Sequence, residues 1–168
     1  MEGKELRAIQ VPLKERYEEE PAAALVTLTA RGALGEGVSC SVQTGRVLAE
    51  AGLHPASGGD GSLLCSGDML LEALVACAGV TLRAVASALG IEVESGQVRA
   101  EGDLDFRGAL AVDRDAPVGF SAIRLAFELD TDADREQLDT LLKLTERYCV
   151  VFQTLAGAPE LSSAIETA

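Results

Sequence analysis

The sequence predicts an α+β fold in which antiparallel sheets pack around two central helices. Three observations carry that prediction. Residues 67–90, GDMLLEALVACAGVTLRAVASALG, form one long apolar run of helical length. Segments on both sides of it alternate apolar and polar residues, as half-buried strands do. A second helical pattern follows the last of these strands. The order is therefore strands, long helix, strands, helix, tail, which is segregated α+β rather than alternating α/β.

Taken in order, residues 1–22 form a charged extension in which Pro12 opens a short helix, PLKERYEEE, that Pro21 ends. ALVTLTA (24–30) alternates as a strand, and GVSCSVQTGRVLAE (37–50) supplies two more short strand candidates. GLHPASGGDGSLLCSG (52–67) has five glycines and a proline and reads as a long loop, a feature that tends to be functional in a compact domain. Ser66 or Asp68 is expected to cap the long helix at its start, with Gly90 just past its end. Strands are expected over 91–106 and 119–129, separated by a loop at 107–118. In the second, Ile123, Leu125, Phe127 and Leu129 alternate with Arg124, Ala126 and Glu128. Thr131 then caps the second helix with Asp134 three residues on, as in a capping box. Leu138, Leu141, Leu142, Tyr148 and Cys149 are expected on its inward face, and 159–168 as a final strand. Small residues around Cys77 (Ala73, Thr81, Ala84, Ala88) allow close approach of a second helix, and the one bearing Cys149 is the natural neighbour. No repeat or linker divides the chain, so 1–168 is read as a single domain.

Composition narrows the function. A net charge of −13 repels phosphate backbones and anionic lipid head groups, which argues against nucleic acid and membrane surfaces as partners. The first twenty residues contain no apolar signal core. The charge-free run between Glu72 and Arg83 is ten residues, about half a bilayer span, so a buried core helix is expected. The expected setting is cytoplasmic, where thiols are held reduced. The four cysteines are Cys40, Cys65, Cys77 and Cys149; with no CxxC and a single histidine, His54, a zinc site lacks ligands and no cofactor is expected. What remains is packing cysteines or redox-active ones.

The stretch DMLLEALVACAGVTLR (68–83) resembles the central-helix motif of the OsmC/Ohr family of thiol-dependent, peroxiredoxin-type hydroperoxide reductases, whose OsmC-like branch carries PxDLLLAALxAC(T)xxTLR. RYCVVFQTL (147–155) resembles the family's second signature, a cysteine at the end of a later helix followed by Thr-Leu. The similarity spans roughly residues 35–160. It implies an intertwined homodimer with its site at the subunit interface, a hydroperoxide substrate, and a dithiol reductant. Residue by residue, it implies Cys77 as the peroxidatic thiol and Cys149 as the resolving one. The chain departs from the pattern with Val150 after Cys149 in place of proline. Asp68 stands where the Ohr and OsmC branches place a glutamate that holds the activating arginine, and that arginine has no clear counterpart.

Peroxide reduction needs a thiolate, yet an unperturbed thiol has a pKa of about 8.5 and apolar burial raises it. Cys77 is too deep in its own helix for that helix's dipole to help, so a cation must approach. Arg83, six residues on, is turned about 240° away. Arg31 and Arg46 are the better candidates, with Arg46 preferred and an exposed strand-end charge as its alternative role. Asp68 lies roughly 13 Å up the helix on the opposite face, so it either acts across a dimer interface or serves as an N-cap. Cys65 is a competing resolving thiol or incidental, Cys40 a core residue, and His54 a loop residue. The candidate catalytic set is thus Cys77, Cys149, Arg46 and Asp68. The rival function is a catalytically weak dimer that binds an apolar ligand in an interhelical pocket.

Overall fold

The computed structural model describes residues 3–34, 40–42 and 51–165. The chain begins with helix α1 (Gly3–Glu19) and strands β1 (Leu25–Leu34), β2 (Cys40–Val42), β3 (Ala51–Gly52) and β4 (Leu64–Cys65). Helix α2 (Ser66–Leu89), strand β5 (Ser95–Asp105), the one-turn helix α3 (Phe106–Ala109) and strand β6 (Phe120–Asp130) follow, then helices α4 (Arg135–Tyr148) and α5 (Val150–Gly157). The main sheet has the order β2-β1-β5-β6 and is antiparallel throughout; β3 and β4 form a two-residue parallel pair.

Alternation fixes which way the sheet faces. On β5, Val98 and Ala100 are fully buried while Arg99, Glu101 and Asp103 lie on the other face. Opposite them on β6, Arg124 pairs in register with Glu101, and its Nη2 donates to Asp103 at 2.9 Å. The Thr27 hydroxyl adds a bond to the same carboxylate at 2.8 Å. A one-residue slip would drive this charged row into the core, so the polar face specifies register. Gly102 is required where the two strands approach the Phe120 ring, since a Cβ there would lie 2.5 Å from it.

Helix α2 packs against the inner face of the sheet. Leu71, Leu74, Val75 and Ala78 form one cluster with Val98, Ala100 and Cys149. Leu82, Val85 and Ala86 form a second with Ile91, Val93 and Leu141 of α4. Gly90 stops the helix in the left-handed conformation at φ 69, which a Cβ would disfavour. A third cluster, of Tyr17, Ala24, Phe106 and Leu110, docks α1 onto the body; the Tyr17 hydroxyl donates to the Ala56 carbonyl at 2.7 Å. By length and composition α2 is sufficient to cross a bilayer, more than its charge-free run suggests, because a span tolerates an occasional charge. Here it is the core helix, with 39% of its most apolar window buried.

Several expectations change. Helix α1 begins at Gly3 and continues through Pro12, although a helical proline removes one backbone bond. The N-cap of α2 is Cys65, without a side-chain cap; Asp68 lies inside the first turn. The capping box belongs to Asp134 and Gln137, which satisfy each other's backbone N–H groups at 2.9 Å, so α4 starts there. Thr131 instead donates to the Glu92 carbonyl and accepts from the Ala133 N–H. Leu142 and Tyr148 are exposed, and Thr145 takes the inward position four residues after Leu141. Residues 158–165 form no strand. Of the 37–50 segment the described residues are 40–42, and they form one strand, β2; residues 37–39 and 43–50 lie outside the described residues.

The small residues around Cys77 also behave differently from expectation. Ala73, Ala84 and Ala88 are exposed, together with Leu70 and Val80. Helix α4 covers the face carrying Leu82 and Val85, because large side chains gain more from burial than alanines do. Cys77 stands half-buried at the edge of the uncovered stripe.

Candidate active site

The site is built where α4 breaks. Cys149 has extended backbone angles (φ −73, ψ 106), so it ends α4 and simultaneously opens α5. Its N–H still bonds to the Thr145 carbonyl at 2.9 Å, and its own carbonyl accepts from Gln153 at 2.9 Å. Cys149 lies at the end of the second helix with its side chain inward, as expected, and is in addition the junction residue to α5. Its side chain is turned inward at 0% exposure and serves as the N-cap, accepting the Phe152 N–H on Sγ at 3.4 Å.

This break aims the start of α5 at the middle of α2. Cys77, Val151, Phe152 and Leu155 pack against the cluster that contains Cys149, Leu71, Leu74 and Val75. Cys77 thus lies beside Cys149, each thiol acts on the ionisation of the other, and both are free. Burial pushes the Cys77 thiol up, but four donors outweigh it: the Val151 N–H, the Cys149 thiol, the Val150 N–H and the Thr81 hydroxyl. The net direction is down. Cys149 moves the other way. Burial, and the hydrogen bond and charge of Cys77, push it up to about 11 against the lowering effect of the Phe152 and Val151 amides. The two neighbouring thiols are thus shifted in opposite directions.

The model of the OsmC-like protein family matches residues 59–164, well over half of the chain. This chain belongs to the OsmC-like family. The fold is also that of an OsmC-like hydroperoxide resistance protein from Jannaschia sp. ccs1, at TM-score 0.62 and 16% identity, covering 86% of this chain and 95% of that one. An OsmC-like protein from Mycoplasma pneumoniae is similar at TM-score 0.55 and 18% identity, covering 79% of this chain and 86% of that one. A search of curated proteins gave no match.

Within this OsmC-like chain the structure brings together two of the four candidate residues, Cys77 and Cys149. Asp68 is separated from Cys77 by nine residues of regular helix and is not among the groups acting on its sulfur. Burial raises the Asp68 carboxyl, partly offset by the charge of His54, and the Asp68 charge in turn adds to burial in raising Glu72. Arg46 lies outside the described residues. The backbone of Arg31 pairs in register with Arg99 on β5. Arg83 is turned away as the helical geometry requires, donating to the Val93 carbonyl at the far end of α2. Cys65 is half-exposed ahead of α2, and the Cys40 backbone pairs with Leu34 in β2. His54 caps the Pro55–Ser57 turn, accepting the Ala56 N–H on Nδ1 at 3.0 Å, and stacks on Phe106 at 5.0 Å. Among the described residues no group of three His, Cys, Asp or Glu is arranged to hold a metal ion.

Sequence reasoning missed the donors that act on Cys77. Thr81 had a usable signal: it is four residues beyond Cys77 on one helix face. The Val150 and Val151 amides had none, since every residue but proline carries an N–H.

Proposed function

We propose that this protein reduces organic hydroperoxides, with Cys77 as the peroxidatic thiol and Cys149 as the resolving one. The observation that carries the reading is the packing of Cys77 against the buried Cys149, with one thiol biased toward thiolate and the other away from it. The Cys77 thiolate attacks one peroxide oxygen. The O–O bond breaks, Cys77 becomes a sulfenic acid, and the departing alkoxide takes a proton to leave as the alcohol. Cys149 then gives up its proton and attacks the Cys77 sulfur. The S–O bond breaks, hydroxide leaves as water with that proton, and a Cys77–Cys149 disulfide forms. A dithiol reductant reopens it by exchange. Leu71, Leu74, Phe152 and Leu155 around the pair suit an alkyl hydroperoxide over a polar one.

The working unit we propose is a cytoplasmic homodimer. The uncovered stripe of Leu70, Ala73, Val80 and Ala84 runs along α2 beside Cys77, and a second copy seated there would roof the site. Arg46 remains the proposed cation and Asp68 the proposed carboxylate acting from the partner. A second reading, an apolar-ligand binder, is favoured by the roughly 570 Å³ groove between β6 and α4 lined by Leu82, Leu125, Phe127 and Leu138. Dithiol-coupled consumption of an alkyl hydroperoxide separates the two. In the proposed enzyme Cys77→Ser abolishes turnover, and Cys149→Ser leaves a trappable sulfenic acid. Equal consumption by wild type and Cys77→Ser would remove the enzymatic reading.

A further inference from the structure

We propose that the Thr145 hydroxyl serves the resolving step: it has no partner in the reduced protein and donates a hydrogen bond to the Cys149 sulfur as that thiol ionises to attack Cys77. This deepens the reading above and rests on it only in taking Cys149 as the attacking thiol.

Thr145 is fully buried on the inward face of α4, and its Oγ1 has no hydrogen-bond partner among the described residues. A buried hydroxyl is nearly always bonded, because leaving it unpaired costs stability. A helical threonine has an ordinary remedy, a bond from its hydroxyl to the carbonyl one turn back. Thr145 does not use it. Valine has the same shape without the hydroxyl, so packing alone gives no reason for the oxygen. One turn on stands Cys149, also fully buried. Its N–H bonds to the Thr145 carbonyl at 2.9 Å, so helical geometry still holds between the two. Side chains at this spacing share a face with Cβ atoms about 5–6 Å apart, and the later Cβ leans back toward the earlier residue. A hydroxyl and a thiol, each one bond beyond its Cβ, then meet by rotation about χ1. Thr145 also stands between the two core clusters. Leu141, one turn before it, packs with Leu82 and Val85, while Cys149 packs with Leu74, Val75 and Ala78. Both clusters are apolar, so a charge formed on Cys149 is poorly served by its surroundings. One donor is in place, the Phe152 N–H on Sγ at 3.4 Å. Thr145 supplies the second.

The hydroxyl matters when charge appears. Cys149 loses its proton and its thiolate attacks the Cys77 sulfur of the sulfenic acid; the S–O bond breaks, and hydroxide leaves with that proton as water. The Thr145 O–H bond stays intact throughout and only turns toward the sulfur. A hydrogen bond to a thiolate is charge-assisted, whereas a neutral thiol is a weak acceptor. A donor unpaired before the attack and bonded to charge during it lowers the barrier without stabilising the reactant. Once the disulfide has formed, the charge is gone and the hydroxyl is released.

The test needs no peroxide. In a Cys40→Ser, Cys65→Ser parent the half-buried Cys77 is converted to a mixed disulfide with a coloured aryl thiol. Attack by the Cys149 thiolate on the Cys77 sulfur then breaks the S–S bond to the aryl group, and the aryl thiolate that leaves is followed by absorbance. Cys149→Ser gives the background. Thr145→Val removes the hydroxyl at constant shape and should leave about tenfold less Cys149 thiolate at fixed pH. The remaining thiolate is more nucleophilic, with a Brønsted slope of about 0.4–0.5, so release should slow about three- to fourfold. Thr145→Ala should slow it as much, and Thr145→Ser should restore the parent rate. In urea Thr145→Val should be at least as stable as the parent, since it removes an unsatisfied group. Release at the parent rate from Thr145→Val overturns the proposal. So does a rate that follows side-chain volume, with Thr145→Ala slow and Thr145→Val normal. Loss of stability in Thr145→Val also overturns it, because the hydroxyl would then hold the fold. A protein that passes these tests yet consumes no hydroperoxide removes the proposed function and leaves the Thr145 role standing. An active peroxidase whose release ignores Thr145→Val does the reverse, and a parent that releases no aryl thiol overturns both.

Discussion

Raising Cys149 from 9.0 to about 11 makes the second half of the proposed cycle the pH-sensitive half. The attacking species is the thiolate. At pH 8 an ordinary thiol of pKa about 8.5 is about one-quarter ionised, and one of pKa about 11 is about one-thousandth ionised, a deficit of nucleophile of roughly two hundredfold. Cys77 is shifted down, so its attack on peroxide levels off at lower pH than that of a free thiol. Two of the groups raising Cys149 are the hydrogen bond and charge of Cys77. Once Cys77 is a neutral sulfenic acid that charge is gone, and burial, the largest cause, keeps Cys149 up. The perturbation is pH in a single turnover with one equivalent of alkyl hydroperoxide. The assay follows sulfenic acid by a trapping reagent and disulfide by mass. Disulfide formation should accelerate about tenfold per pH unit between about pH 7 and pH 8.5, while sulfenic acid formation levels off at lower pH than disulfide formation does. A resolving rate that is flat across this interval would refute the assignment of a buried, protonated Cys149.

Three other outcomes are expected. Val80→Glu places a charge on the uncovered stripe of α2 and should give a folded monomer in sedimentation at concentrations where the wild type is dimeric. Leu71→Ala removes a fully buried side chain from beneath the site and should cost about 2–5 kcal/mol in urea unfolding at fixed protein concentration. The Arg124 and Thr27 hydrogen bonds hold the Asp103 carboxyl at about 2. Because that folded value lies below the unfolded one, its stabilisation is present above about pH 4 and is lost as pH falls through 2. Thermal melts of Asp103→Asn and wild type should thus differ by a small, constant amount at neutral pH and converge in acid.

Much of the fold was legible because it rests on local patterns. The apolar run closed by Gly90 is α2 within a residue at each end, and the alternation from Ile123 to Leu129 is the core of β6. Helix starts were less legible. Thr131 and Asp134 are both good caps, and only the reciprocal bonds with Gln137 select Asp134. Ser66 and Asp68 likewise both suit a helix start, while the chain uses Cys65, whose extended backbone and place in the short β3–β4 ladder set the entry.

The sequence by itself determined that this is an α+β chain organised by one apolar helix, and its motifs singled out Cys77 and Cys149. The first follows from residue spacing read along the chain, and the second is what the resemblance to the OsmC/Ohr motifs implies. What only the tertiary structure decided is the environment of the two thiols: that Cys149 joins two helices, that α2 turns its alanines outward, and that the groups lowering the Cys77 thiol are the Val151 and Val150 amides, the Cys149 thiol and the Thr81 hydroxyl. The physical reason is that a backbone N–H is common to nearly all residues. It becomes a functional group only where packing leaves it unpaired at a helix end and sets it beside a group that ionises.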